Sequence, residues 1–278
     1  MLGKRPEVTV VVIDDLPAAR WHIGGQALSA ASAPTAWLQI DITAGTNTAE
    51  QKAAFVAEAL AELQRQLGAG RPLAEASLIC PVDGAISQFG PIAKDQVFQA
   101  KGHTYSTTAL VGGDAAAAAR FDNGHFATLY LSPRDYHRIH MPCAGELTRM
   151  VHVPGDLFSV NPTTARGVPG LFARNERVVC FFESAQGPFV LVLVGATIVG
   201  SMATVWHGQV NPPRTGVLRQ WDYAKGQVNL QQGEEMGRFL LGSTVVMLFP
   251  QGPLQFNPQW SPTRPIQLGE AMAQRSGG

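Results

Sequence analysis

The hydrophobic pattern of this 278-residue chain changes character near residue 70. Before that point, VTVVVID (8–14) and AWLQIDIT (36–43) have the composition and spacing of strands. In the second, Leu38, Ile40 and Ile42 alternate with Gln39, Asp41 and Thr43, the period of a strand with one face covered. A helix is predicted next. Thr48 with Gln51 forms a capping box, and Val56, Leu60, Leu63 and Leu67 make one apolar stripe that stops at Gly68.

From residue 77 onward the pattern becomes short apolar runs cut by Gly, Pro and Asn: SLICPVDG, GHFATLYLSP, LTRMVHVPG, RVVCFFES, FVLVLVG, TIVGSMATVW and STVVMLFP. Such spacing, with little helical periodicity between the runs, predicts a mainly antiparallel β domain. The fold class is therefore α+β, mainly antiparallel β, with a small N-terminal ββα appendage over 1–70 and a β-rich domain over 71–278. The alanine tract between Asp114 and Arg120 predicts a short helix, and Pro154-Gly155 and Asn161-Pro162 are turns. The longest apolar run, 187–206, approaches the length of a membrane span. Its valines, threonines and dividing glycines Gly195 and Gly200 predict instead a hairpin of buried strands.

Charge narrows the partners. Lys+Arg and Asp+Glu each number 21, and charged residues are 15% of the chain, so there is no basic footprint for nucleic acid. Cys80, Cys143 and Cys180 fit no metal-ligand spacing, and their odd number argues against a disulfide framework, which suits a reducing cytoplasmic setting. The apolar stretch in MLGKRPEVTVVVIDD is too short for a signal peptide.

Candidate chemistry centres on GRFLLGSTVVMLFP (237–250), which reads as one buried strand with Gly242-Ser243 in its middle. A glycine there marks a bulge or a close approach. The Ser243 hydroxyl can also attack the Gly242 carbonyl and turn the peptide bond into an ester, given a base, donors for the oxyanion and a backbone that glycine tolerates. His137 and His140 in YLSPRDYHRIHMPCAG (130–145) offer a base. At that spacing they are alternatively structural, or two ligands of a metal whose third ligand is not evident. Asp83 in CPVDGAISQFG (80–90) offers an acid to orient the base, or simply an Asx turn before Gly84. Asp, His and Ser in this order make a workable triad.

Together these segments resemble the phosphatidylserine decarboxylase proenzymes. The resemblance runs through PVDGAISQFG, QAKGHTYS, LSPRDYHRIHMPC, VPGDLFSVNP, LFARNERVVC, LVGATIVGS and EEMGRFLLGSTVVMLFP, seven blocks in order over some two hundred residues. It implies autocatalytic cleavage between Gly242 and Ser243, giving a β chain of 1–242 and an α chain of 243–278 from one zymogen. Ser243 becomes a covalent pyruvoyl group, which forms a Schiff base with the serine amine of phosphatidylserine and acts as electron sink, so that the lyase yields phosphatidylethanolamine and carbon dioxide. The resemblance further implies that Asp83 orients His140, that His140 activates Ser243 and that His137 is the general acid. No metal is implied.

The chain departs from that family at its start. The helical, partly apolar segment and phenylalanine-rich motif of bacterial members are not found in 1–70, which instead resembles pieces of the 4-oxalocrotonate tautomerase family. The matching proline, Pro34, is an internal tertiary amide with no basic lone pair, so tautomerase activity is not expected. Peripheral attachment to the cytoplasmic face of the cell membrane is expected, and a homodimer is left open. The rival readings are a catalytically dead β scaffold or binding protein, and a tautomerase acting on small enols.

Overall fold

The computed structural model describes residues 22–23, 26–27, 48, 72–133, 135–197, 201–211, 214, 216–239 and 243–275. The chain divides into two compact units, Met1–Gly70 and Arg71–Gly278. In the first, β1 (His22–Ile23) pairs antiparallel with β2 (Gln26–Ala27). The predicted strands 8–14 and 36–43, the helix behind Thr48, and Pro34 with its tautomerase resemblance lie outside the described residues.

The second unit runs β3 (Leu78–Ile79), β4 (Gly84–Pro91), β5 (Gln96–Ala100), β6 (His103–Ser106), α1 (Thr107–Leu110), α2 (Ala115–Ala119) and β7 (His125–Leu131). It continues with β8 (Arg138–His140), β9 (Gly145–Val153), α3 (Pro162–Gly167), α4 (Leu171–Arg174), β10 (Arg177–Glu183), β11 (Phe189–Val194), β12 (Met202–Thr204) and β13 (Gly208–Asn211). It ends with β14 (Arg219–Asp222), β15 (Asn229–Leu230), β16 (Glu235–Phe239), β17 (Ser243–Phe249), β18 (Leu254–Phe256), β19 (Pro265–Ile266) and β20 (Ala271–Arg275). The alanine tract is the short helix expected, capped by the Asp114 carboxylate on Ala117 N.

A nine-stranded sheet dominates, in the order β14-β9-β10-β11-β17-β7-β4-β19, with β15 also on β9. A four-stranded sheet, β13-β12-β16-β8, and a three-stranded one, β18-β20-β3, accompany it. The centre of the large sheet is buried on both sides, which is why β10, β11 and β17 read as unbroken apolar runs rather than alternating ones. On one face Val245, Met247, Leu129, Leu193 and Val178 join Ile139, Met202, Met236 and Phe239 of the four-stranded sheet in one core. On the other, Val246, Leu248, Val192 and Phe181 pack with Leu110, Phe121 and Phe172 beneath the short helices. Each such fully buried side chain contributes about 1.5–3 kcal/mol.

Two expectations are corrected. The apolar run 187–206 is not a hairpin, because β11 is paired on both edges by β10 and β17 while β12 pairs with β13 and β16 in the other sheet. With both edges of β11 taken, the chain had to leave that sheet to form its next strand. No described helix is long and apolar enough to cross a membrane.

The second correction concerns GRFLLGSTVVMLFP, which is not one strand. Its first part is β16 in the four-stranded sheet, its last part is β17 in the nine-stranded sheet, and Gly242-Ser243 falls at the passage between them. A second connection joins the same two sheets in the opposite direction, since β7 of the large sheet leads into β8 of the small one. At one end Ser243 pairs with Leu131, and at the other Arg238 pairs with Arg138. The Arg138–Glu235–Arg238 ion pairs brace that second end, at 2.5 and 3.3 Å.

Gly84 locks the third element onto this arrangement. A Cβ there would stand 2.2 Å from the Tyr130 carbonyl oxygen, far inside van der Waals contact, so only glycine lets β4 approach β7 at this point. Gly84→Ala is expected to cost roughly 2–4 kcal/mol by overpacking and displaced pairing. The check is urea unfolding, and a change below about 0.5 kcal/mol would contradict the packing argument.

Candidate functional site

Register brings three separated sequence segments to one line across the large sheet. Ala85 pairs with Tyr130, and Tyr130 with Thr244. One position further along, Gly84, Leu131 and Ser243 follow one another across β4, β7 and β17. Asp83 immediately precedes β4, one residue before that line, and Ser243 opens β17. Gly84 and Ser243 thus reach the same edge of the large sheet, and YHRIH follows β7 into the four-stranded sheet.

His140 ends β8, where its backbone N–H donates to the Pro81 carbonyl at 2.9 Å, two residues before Asp83. Its ring is largely buried. Nδ1 faces the Gly233 carbonyl at 2.7 Å, and a carbonyl can only accept, so Nδ1 carries the proton of the neutral ring. Nε2 is then the basic nitrogen, and it accepts from the buried Tyr136 hydroxyl at 2.9 Å. The two rings stack with centroids 5.6 Å apart and planes 28° apart, which fixes the imidazole's tilt. Gly233 presents its carbonyl from a left-handed turn at φ +80°, where a Cβ would also stand 2.5 Å from Leu73 Cδ1.

Asp83 is buried, and its Oδ1 accepts from Leu268 N at 2.8 Å. That partner is remote in sequence, so this contact is not the Asx turn offered as an alternative. His137 lies just before β8, half-buried, with Nδ1 donating to the Asp135 carbonyl. Its own carbonyl accepts from Phe239 N at 3.0 Å, which ties the His137 segment to the last residue of β16. The three cysteines are free and buried, and burial pushes the Cys143 thiol up to about 11, so none is a ready nucleophile.

The sequence reading missed a second polar group on the same side of the sheet. Glu176 is 2% exposed, its Oε1 accepts from His152 Nε2 at 2.9 Å and its Oε2 from Arg214 Nε at 2.9 Å. His152 is fully buried in the middle of β9. Burial alone would raise the Glu176 carboxyl, but hydrogen bonds from His152, Arg214 and Asn211 outweigh it and hold the group below the ordinary carboxylate range. The signal available in sequence was a charged pair inside NERVVC, directly before an otherwise apolar strand.

A serine that follows a glycine between strands of two sheets, with a largely buried histidine at the end of β8, suits an enzyme made as a precursor. The chain matches the family model described as Phosphatidylserine decarboxylase over residues 54–274 and belongs to that family. It is 84% identical over 208 residues to the phosphatidylserine decarboxylase proenzyme of Verminephrobacter eiseniae (strain EF01-2), covering 74% of this chain and 73% of that protein. It is 81% identical over 203 residues to the proenzyme of that name from Variovorax paradoxus (strain S110), covering 73% and 72%. The proenzyme of Albidiferax ferrireducens (strain ATCC BAA-621 / DSM 15236 / T118) is 79% identical over 212 residues, covering 76% and 75%.

The buried Glu176 group makes stability pH-dependent in a definite sense. A carboxyl lowered by folding adds stability that is present above its unfolded value of about 4.3 and is lost as pH falls through the folded value. Glu176→Gln is therefore expected to be less stable than the parent by roughly 1–3 kcal/mol at pH 7, with the gap closing below about pH 4. Urea unfolding of both proteins across that range measures it, and a gap independent of pH would contradict the assignment.

Proposed function

We propose that the chain cuts itself between Gly242 and Ser243 and then decarboxylates phosphatidylserine to phosphatidylethanolamine and carbon dioxide. The observation that carries this reading is the paired passage between the sheets, with Ser243 in register with Leu131 and the His137–His140 segment tied to β16 alongside.

In this reading Nε2 of His140 takes the Ser243 hydroxyl proton. The lone pair that accepts Tyr136 is the one the serine would use in turn. The serine oxygen bonds to the Gly242 carbonyl carbon, the C–N bond breaks, and the proton passes to the freed nitrogen, leaving an ester. Loss of the Ser243 α-proton then expels the Gly242 carboxylate, and water releases ammonia from the dehydroalanine to leave a pyruvoyl group on 243–278. Asp83, buried beside the strand that bears His140, orients that histidine and favours the imidazolium formed when the proton moves.

The pyruvoyl group supplies the electrophilic carbonyl for the substrate amine and the sink for the electron pair left by carbon dioxide. Position 243 fits that role because it heads a strand hydrogen-bonded on both sides, so a new terminus there stays in place. His137, fixed through Nδ1 on the Asp135 carbonyl, returns a proton to the substrate α-carbon. The substrate resides in a bilayer, and the exposed apolar pair Val217, at 63%, and Leu218, at 42%, supports peripheral attachment at the cytoplasmic face of the cell membrane.

Denaturing electrophoresis and mass spectrometry test the scheme. The parent should yield chains 1–242 and 243–278, the second with a blocked N-terminus. Ser243→Ala and His140→Ala should stay intact. His137→Ala should cleave but lose roughly 10²–10⁴-fold in carbon dioxide release from phosphatidylserine. An unbroken chain in a preparation that decarboxylates, or identical behaviour of the two histidine variants, would refute it.

A further inference from the structure

The Glu176 group lies on the same line as the proposed cleavage serine, on its other side. Arg177 pairs with Val194, and Val194 with Thr244. One position on, Gly195 N donates to the Glu176 carbonyl at 2.9 Å, and the register continues to Ser243. Two strand spacings, about 10 Å, separate the two backbones. Strand alternation puts Glu176 on the face of Val178, the face that carries Val245 and Met247 at the alternate positions after 243. The residue between is Gly195, so no side chain projects from β11 into the interval.

At the far side of that interval is a cation held by a buried framework. Glu176 fixes the Nε edge of Arg214, and His152 and Asn211 hold the carboxylate in turn, with Asn211 itself anchored by Met202 N at 2.8 Å. Arg214 keeps 43% of its side chain exposed although its partner is 2% exposed. A guanidinium aimed by a buried carboxylate and open to solvent is a site for an oxyanion.

Resting on the decarboxylase reading, we propose that Arg214 binds the phosphodiester of the lipid headgroup, positioned by Glu176 and His152. The headgroup places its phosphodiester a few bonds from the amine that reacts at position 243, which spans the glycine interval. The carboxylate is the poorer candidate for this cation. Its charge disappears as carbon dioxide leaves, so a cation holding it would stabilise the ground state against the transition state. The phosphodiester keeps its charge throughout, and holding it is uniform binding that shows in KM rather than kcat.

Binding and kinetics test this separately. With Ser243→Ala as background, titration calorimetry with dihexanoyl phosphatidylethanolamine should show Arg214→Ala binding roughly 10- to 100-fold more weakly, with dihexanoylglycerol, which lacks phosphate, unaffected. In the self-cleaved enzyme, Arg214→Ala should raise KM for dihexanoyl phosphatidylserine by a similar factor while kcat falls less than about threefold. Arg214→Lys, which keeps charge but loses the fork, should fall between, and it decides the matter if the alanine variant loses its cooperative melting transition. Unchanged binding of the phosphodiester lipid, or a fall in kcat at constant KM, would overturn the proposal. Parent enzyme that cleaves itself but releases no carbon dioxide would refute the decarboxylase reading instead, and the calorimetric arm would still decide the role of Arg214.

Discussion

The structure turns on how β17 is held. Its residues are hydrogen-bonded by β11 on one side and β7 on the other from Thr244 onward, and Val245 to Phe249 are almost fully buried. The chain immediately before it belongs to a different sheet, where β16 is paired with β8 and β12. Ser243 is therefore the first residue of a strand whose preceding strand belongs to another sheet. One side of the bond is fixed by the centre of the large sheet, and the other by the Arg138–Glu235–Arg238 brace and the Phe239–His137 hydrogen bond. If the bond were broken, both new ends would keep their own sheet. A proenzyme needs that property, since cleavage must not let the newly formed terminus leave the site.

The same arrangement explains why the polar residues are so unequally buried. His140 and Asp83 sit where three sheets approach one another, and water is displaced from them by Tyr136, by the Leu268 backbone and by the Gly233 turn. In such surroundings an uncharged imidazole with a defined tautomer is cheaper than an imidazolium, and a backbone carbonyl sets that tautomer without adding charge. The buried Asp83 carboxylate follows two residues after the Pro81 carbonyl that accepts from the His140 backbone.

Much of this was legible in the sequence. Strand positions from residue 77 onward followed from apolar runs and their turn residues, and the helix at Ala115–Ala119 from Asp114 and its alanines. What failed was sheet membership. TIVGSMATVW next to FVLVLVG has the local look of a hairpin, and GRFLLGSTVVMLFP that of one strand, because hydrophobic periodicity reports burial and not which neighbour provides it. Both errors arose at passages between sheets. Asp83, His137, His140 and Ser243 stand out in the sequence because they lie in dense motifs, whereas Tyr136 and Gly233 meet the His140 ring through a hydroxyl and a backbone carbonyl that no pattern flags.

Glu176 shows the converse case. An acidic residue before an apolar strand is ordinarily the solvated start of that strand, and the charged pair in NERVVC is by itself too weak a signal to overturn that reading. The difference is made by His152, which occupies an inward position of β9 and would be costly there without a carboxylate beside it. A buried His–Glu pair is a poor source of stability compared with apolar residues of similar volume. Its presence on the same line as Ser243, with Gly195 adding no side chain between them and Arg214 partly exposed, makes better sense as geometry maintained for an anionic substrate than as part of the core.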